Sequence, residues 1–336
     1  MAEETGIEFC SGTANTHLGC ARIGAGCGCR HLRKDWGDPV LNKTFKKYGG
    51  KCWAQDIAET QYKFNGVDNP AVFGVGLQRH EFDRESVLAR LLKIDNFLRQ
   101  GDTQWINRPT PTGTYICFAV SMGDFFDHET PQWWRDWWWN VIRITPHIRW
   151  LPISKRASNV ITLNMLPEGW PYGYEHVTVL ITVAIQAELE PAVNNLVSFP
   201  AMCRGLILEP MLQMIDISHA LKYDLDWLIV GGESGSRYDD DPEIAKTQSP
   251  EGMAAPFDLE WARQLKRRWV GAGRSYFFKQ GGCLPFDRGV PIKLRYHGGE
   301  LEDLPPELRH RTWPGQMIEP LAELHRRAFK AGILVP

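Results

Sequence analysis

The stretch "LDWLIVGGESG" (225–235) decides how the rest of the chain is read. Its apolar run, Trp227 to Val230, is too short for a helix and ends in a glycine turn, which reads as a strand. Comparable runs recur on both sides. "TYICFAVSM" (114–122), "HIRWLPIS" (147–154), "EHVTVLITVAI" (175–185), "RGLILEP" (204–210) and "SYFFKQGG" (275–282) each read as a strand. Helical patterns stand between them. "ESVLARLLKIDNFLRQ" (85–100) carries Val87, Leu91, Ile94 and Leu98 on one stripe and meets a stop at Gly101. "PQWWRDWWWNVIRI" (131–144), "ELEPAVNNLVSF" (188–199) and "DLEWARQLKRRWVGAG" (258–273) read as helices, the last ended by Gly271 or Gly273. Residues 1–30 read as loop-rich, and "CWAQDIAETQYKF" (52–64) has helical character that stops near Asn65-Gly66.

Strands that alternate with helices predict an α/β fold with a parallel sheet. Polar residues collect where the strands end: Ser121 to Asp124, Ser154-Lys155-Arg156, Glu209, Gly231 to Gly235, and Lys279-Gln280. Ligands of such sheets sit at the C-terminal ends of the strands. The expected architecture is therefore a barrel or partial (β/α) barrel with one shared mouth.

Bulk properties narrow the class. A chain of 336 residues has ample core, and 43% hydrophobic with 23% charged residues is ordinary for a soluble globular protein. A net charge of −2 sets up no global basic field for nucleic acid, although residues 30–51 form a basic, interrupted insertion. No long apolar run suggests a membrane span, and the acidic start "MAEETGIEFC" lacks a signal peptide's pattern, so a cytoplasmic location is expected.

In a reducing cytosol eight cysteines are a poor disulfide frame, and clustered thiols there point to metal or redox chemistry. "HLGCARIGAGCGCR" (17–30) holds Cys20, Cys27 and Cys29, and Cys52 follows in "GGKCWAQ". Six residues separate Cys20 from Cys27, but one separates Cys27 from Cys29, an awkward spacing for two ligands of one metal. Thiolates suit zinc and iron–sulfur clusters alike, and spacing alone leaves both open beside inert thiols. Cys10, Cys117, Cys203 and Cys283 read as packed thiols. The tryptophans from Trp133 to Trp139 read as core and interface, but five exceed one stripe, so some are expected at the surface.

These motifs, taken in order, resemble a radical S-adenosylmethionine family common in phages and prophages. "TANTHLGCARIGAGC" matches its leading segment, with Asn15, Gly19, Cys20 and Cys27 in register, and "CWAQ" at Cys52 matches its Cys-Tyr-Ala-Glu element, displaced by the insertion. "FAVSMGDFF", "WLPISKRASN", "ITVAIQAELEPAVNNL", "GLILEPML", "DWLIVGGESGSR" and "YFFKQGG" follow in the family's order, covering about residues 7 to 282.

The resemblance implies a partial (β/α) barrel of radical S-adenosylmethionine type over residues 1–285, with a loop-rich N-terminal cluster-binding segment and a C-terminal extension at 286–336. It implies a [4Fe–4S] cluster ligated by Cys20, Cys27 and Cys52, with Cys29 as the alternative to Cys27. S-adenosyl-L-methionine would chelate the fourth iron and be cleaved by the reduced cluster to a radical that abstracts hydrogen. An external electron donor is then required.

The residues implied to bind cofactor are Ser121, Asp124, Lys155, Glu209, Gly231, Gly232, Glu233, Ser234 and Lys279. Each also has a plainer reading: Asp124 as a helix cap, Lys155-Arg156 as a solvated pair, Glu209 and Lys279 as structural, and the glycines as a strand-end turn. The implied substrate is a modified nucleobase, a glycyl-bearing thymidine in phage DNA that is isomerised during hypermodification, in the host cytoplasm if the chain is phage-encoded. The alternatives are radical chemistry on an RNA base or peptide, and a zinc- or cluster-stabilised nucleic-acid-binding module without catalysis.

Overall fold

The computed structural model describes residues 7–18, 20, 63–64, 67–68, 80–81, 83–103, 106, 113–121, 123–170, 173–233 and 255–318. The expected alternation of strands and helices is present. Strands β1 (Gly12–Ala14), β6 (Ile116–Ala119), β7 (Arg149–Ser154), β8 (Thr178–Thr182), β9 (Cys203–Leu208), β10 (Trp227–Gly231) and β12 (Ser275–Gln280) form one sheet in that order. Every pairing in it is parallel. Helices α1 (Arg84–Arg99), α2 (Gln132–Ile144), α3 (Ala157–Thr162), α4 (Gln186–Ser198) and α5 (Leu259–Gly271) stand in five of the six crossovers that parallel pairing requires, and the β9–β10 connection carries only the 3-10 turn Ala220–Lys222. Among the described residues no helix is long and apolar enough to cross a membrane.

Strand alternation divides the interior into two cores. One set of side chains, including Trp150, Val179, Leu206, Leu228 and Phe278, packs under the helices. The alternate set, Ile116, Leu151, Leu180, Ile207, Ile229 and Phe277, packs together on the other face. Phe9 shows that this second face is concave. Its ring lies 6.4 Å from Phe118 on β6, 6.3 Å from Trp227 on β10 and 6.3 Å from Phe277 on β12. Strands far apart in the sheet thus meet on one aromatic ring, and the sheet is curled into a half-barrel.

Local chemistry explains the helices. Asp83 caps α1 by accepting from Glu85 N at 3.1 Å and Ser86 N at 3.4 Å. Val87, Leu91 and Ile94 are buried on the expected stripe, and Gly101, at φ +75°, follows the helix end. Asp258 caps α5 in the same way. On α2, Trp134, Trp138 and Trp139 are buried, whereas Trp133 is 50% exposed beneath the Arg84 guanidinium.

Gly205 has no space for a side chain: a Cβ there would overlap the Trp227 carbonyl of the adjacent strand. Gly205→Ala is expected to cost about 1–3 kcal/mol in urea unfolding, as for other overpacked cores. An unchanged midpoint would contradict this strand spacing.

Four features differ from the sequence reading. The N-terminal segment contributes β1, which pairs with β6 from Gly12↔Cys117 to Ala14↔Ala119. Its residues, Gly-Thr-Ala, have no apolar alternation, and tertiary pairing alone makes them a strand. The helical reading of 52–64 lies outside the described residues except at its end, where it is wrong. β3 (Lys63–Phe64) pairs antiparallel with β4 (Val67–Asp68). β2 (His17–Leu18) and β5 (His80–Glu81) form a second short pair. Finally, β11 (Pro256–Asp258), β13 (Leu284–Asp287) and β14 (Val290–Pro291) make a small separate sheet.

The chain after residue 285 packs on the same cores as far as it is described. Leu304 and Leu308 join the outer core and Met317 the inner one. Phe278 N donates to His310 O at 2.9 Å and Thr312 N to Tyr276 O at 2.9 Å, so residues 310–312 cover the free edge of β12.

Candidate functional site

Because all seven strands are parallel, their C-terminal ends open on one side of the sheet. The polar residues expected there form two networks. The first joins β1, β6 and β7. Asn15 Nδ2 donates to Ser121 Oγ at 3.1 Å, tying the segment after β1 to the end of β6. Between them Val120 adopts φ +60°, a strained conformation for a β-branched residue and one that clusters at functional sites.

Asp124 organises this network. Its Oδ1 accepts from the Ser154 hydroxyl at 2.5 Å and from Phe126 N at 3.0 Å. Its Oδ2 accepts from Lys155 N at 3.0 Å and pairs with Arg156 Nη1 at 2.6 Å. The helix-cap reading of Asp124 is wrong: α2 begins at Gln132, and Asp124 holds a turn and a strand end instead. The solvated-pair reading of Lys155-Arg156 fails for Arg156, which is buried. Burial pulls the Arg156 guanidinium's pKa down, but the Asp124 and Asp127 carboxylates, with Cys20 also in range, more than offset this and raise it. Lys155 is half-buried, and its backbone is what the network uses.

The second network joins β9, β10 and β12. Glu209 pairs with Lys279 through Oε1, which also accepts from Gln280 Nε2 at 3.1 Å. Gln280 Nε2 bonds the Gly232 carbonyl at 3.1 Å as well. Burial depresses the Lys279 pKa, and the Glu209 and Glu8 carboxylates outweigh it, so the ammonium is held charged. Glu233 is buried and its Oε2 accepts from Ala255 N at 2.8 Å.

The glycines serve different needs. A Cβ on Gly232 would lie 2.5 Å from Gly281 O, so its openness is used by the protein's own backbone. A Cβ on Gly231 would meet only ordinary contacts at 3.4 Å, from Gln280 and Glu209. Of the two, Gly231 is the position that leaves room beside Glu209.

Cys20 follows β2 and is half-buried, within electrostatic range of Arg156. Cys27, Cys29, Cys52, Ser234 and the basic segment 30–51 lie outside the described residues. Cys10, Cys117 and Cys203 are buried, as packed thiols should be. Burial pushes the Cys117 thiol up to about 12 and raises Cys203 well above the usual thiol range, so neither is a ready thiolate. Cys283 is only partly buried.

Residues 4–305 match a family described as a protein of unknown function, DUF5131. The chain belongs to the DUF5131 family. The match spans both networks and the whole parallel sheet, and stops short of the edge-covering residues 310–312. No curated protein and no solved structure matches the chain.

Sequence reasoning missed Glu8, whose carboxyl lies near Lys279, Glu209 and Arg311. The available signal was a lone carboxylate between Ile7 and Phe9. It also missed Asp127, fully buried and 3.8 Å from Arg156 Nε, and Arg311, which donates to the Phe278, Lys279 and Gly299 carbonyls.

Proposed function

We propose that this chain is a radical S-adenosylmethionine enzyme that abstracts hydrogen from a modified nucleobase. The observation that carries the reading is the parallel half-barrel, with the Cys20 segment following its first strand and charged residues gathered at the ends of the others. In such sheets the C-terminal strand ends are where cofactors and substrates bind.

The residues fit the cofactor. Thiolates are the donor set an iron–sulfur cluster takes, and Cys20 lies within electrostatic range of the buried Arg156 cation. When bound, a [4Fe–4S] cluster with S-adenosyl-L-methionine supplies the radical that removes hydrogen. Cys20, Cys27 and Cys52 are the assigned thiolate ligands, with Cys29 the alternative to Cys27.

The remaining roles belong to the chain itself. Asp124 holds Arg156 and the β7 end in place, and Ser121 links β6 to the segment that precedes Cys20. Glu209, Gly231, Glu233 and Lys279 line the other half of the mouth, with Gly232 packed behind them. There Lys279 and Glu209 offer one cation and one anion for a polar ligand. The nucleobase assignment, and its narrower form of a glycyl-modified thymidine in phage DNA, rest on the motif resemblance.

Metal analysis after anaerobic reconstitution tests the reading. About four irons per chain are expected. Cys29→Ala should leave that count unchanged, while Cys27→Ala should lower it. One zinc per chain and no iron would favour the binding-module alternative and overturn the proposal.

A further inference from the structure

The parallel sheet ends at β1 on one side and at β12 on the other. Residues 310–317 touch both ends. On the β12 side Arg311 bridges Phe277 in antiparallel register, and Tyr276 N donates to Thr312 Oγ1 at 3.0 Å. Thr312 O accepts from the indole Nε1 of Trp227, on β10, at 2.9 Å. The Arg311 guanidinium anchors the segment further through Phe278 O at 3.1 Å, Lys279 O at 2.8 Å and Gly299 O at 2.6 Å. Trp313 then reaches the β1 side. Its ring packs edge-on against Phe277 with centroids 5.1 Å apart, and its Nε1 donates to Phe9 O at 3.3 Å. Met317 is buried in the same inner core as Phe9. Trp227 and Tyr276 stand at the starts of their strands and Phe9 precedes β1, so these contacts lie at the base of the half-barrel, opposite the polar strand ends.

We propose that residues 310–317 are a latch that holds the two edges of the half-barrel together at its base, with Trp313 as the pin. The strand it secures is weakly anchored by itself. β1 has three residues and pairs with β6 alone, and so short an edge strand belongs to the low end of local stability. Phe9 supplies what the ladder lacks. It is buried, and it is held from the β12 side by Phe277 and by the Trp313 indole. The 310–312 segment is the better anchored partner, because it is bonded along β12 and to Trp227. Residues 9–14 and 310–313 therefore open and close as one unit. The far end of β1 leads through Asn15 to Ser121, so the latch couples the C-terminal segment to the strand that enters the first polar network.

The latch needs only the fold, so its test is independent of the radical chemistry. Hydrogen exchange of the full chain, followed by mass spectrometry at rising urea below the unfolding transition, reads it directly. Peptides covering residues 9–14 and 310–313 are expected to lose protection together, and at lower urea than β8 and β9 at the sheet's centre. Trp313→Ala should speed exchange in both segments by about tenfold or more, since it removes a hydrogen bond and a ring contact, and should leave β8 and β9 unchanged. Trp313→Phe, which keeps a ring and loses the donor, should fall between. Loss of protection at different urea concentrations in the two segments of the unmodified chain would overturn the latch. So would Trp313→Ala exchange that is unchanged in residues 9–14, or that rises equally throughout the sheet. The unmodified chain decides the matter if the variants fail to fold.

Discussion

Asp124→Ala is expected to destabilise the protein by about 3–5 kcal/mol, the range for breaking a buried ion pair by removing one partner. The carboxylate is buried, and both oxygens are in use, by Ser154, Phe126 N, Lys155 N and Arg156. Without it Arg156, which is buried, loses the carboxylate that it contacts at 2.6 Å. A buried cation that loses a close counter-charge costs more than the lost hydrogen bonds alone. Ser154→Ala, which removes a single hydroxyl from the same network, should cost only about 1 kcal/mol. Urea unfolding followed by tryptophan fluorescence measures both. Equal midpoints for Asp124→Ala and the unmodified chain would show that the strand ends do not depend on this network.

The second large effect is functional. Cys20→Ala should abolish reductive cleavage of S-adenosylmethionine and reduce bound iron, because a cubane cluster held by two thiolates is not retained. The fold should tolerate the change. Cys20 is half-buried, unlike the fully buried Cys117, and belongs to neither hydrophobic core. Iron analysis and far-ultraviolet circular dichroism on the same sample separate loss of the cluster from loss of structure. A Cys20→Ala variant that keeps full iron and activity would remove Cys20 from the ligand set.

The two predictions concern residues that were unequally legible in the sequence. Six of the seven parallel strands announced themselves, because strands buried under helices on one face and in the concave core on the other are apolar almost throughout. β1 did not, since Gly12-Thr13-Ala14 becomes a strand only by pairing with β6. The α1 stripe and the position of its stop were readable from spacing alone, as local helix chemistry is.

The site was legible as a set of positions rather than as roles. That Asp124, Arg156, Glu209 and Lys279 stand at strand ends follows from the sequence. That Asp124 grips Arg156, and that Lys279 grips Glu209, depends on contacts between residues 32 and 70 apart, which no local pattern encodes. Gly232 shows the same limit. Its sequence context suits close approach to a ligand, but the backbone that approaches it is Gly281. Glu8 was hidden because a single carboxylate in a loop carries no periodic signal.

Formation of 5′-deoxyadenosine is the immediate readout of radical cleavage of S-adenosylmethionine. The anaerobically reconstituted chain, given S-adenosylmethionine and a strong reductant, is predicted to produce 5′-deoxyadenosine and methionine in equal amounts, and the Cys20→Ala variant none. Intact S-adenosylmethionine after incubation with a reduced, iron-loaded chain would contradict the account.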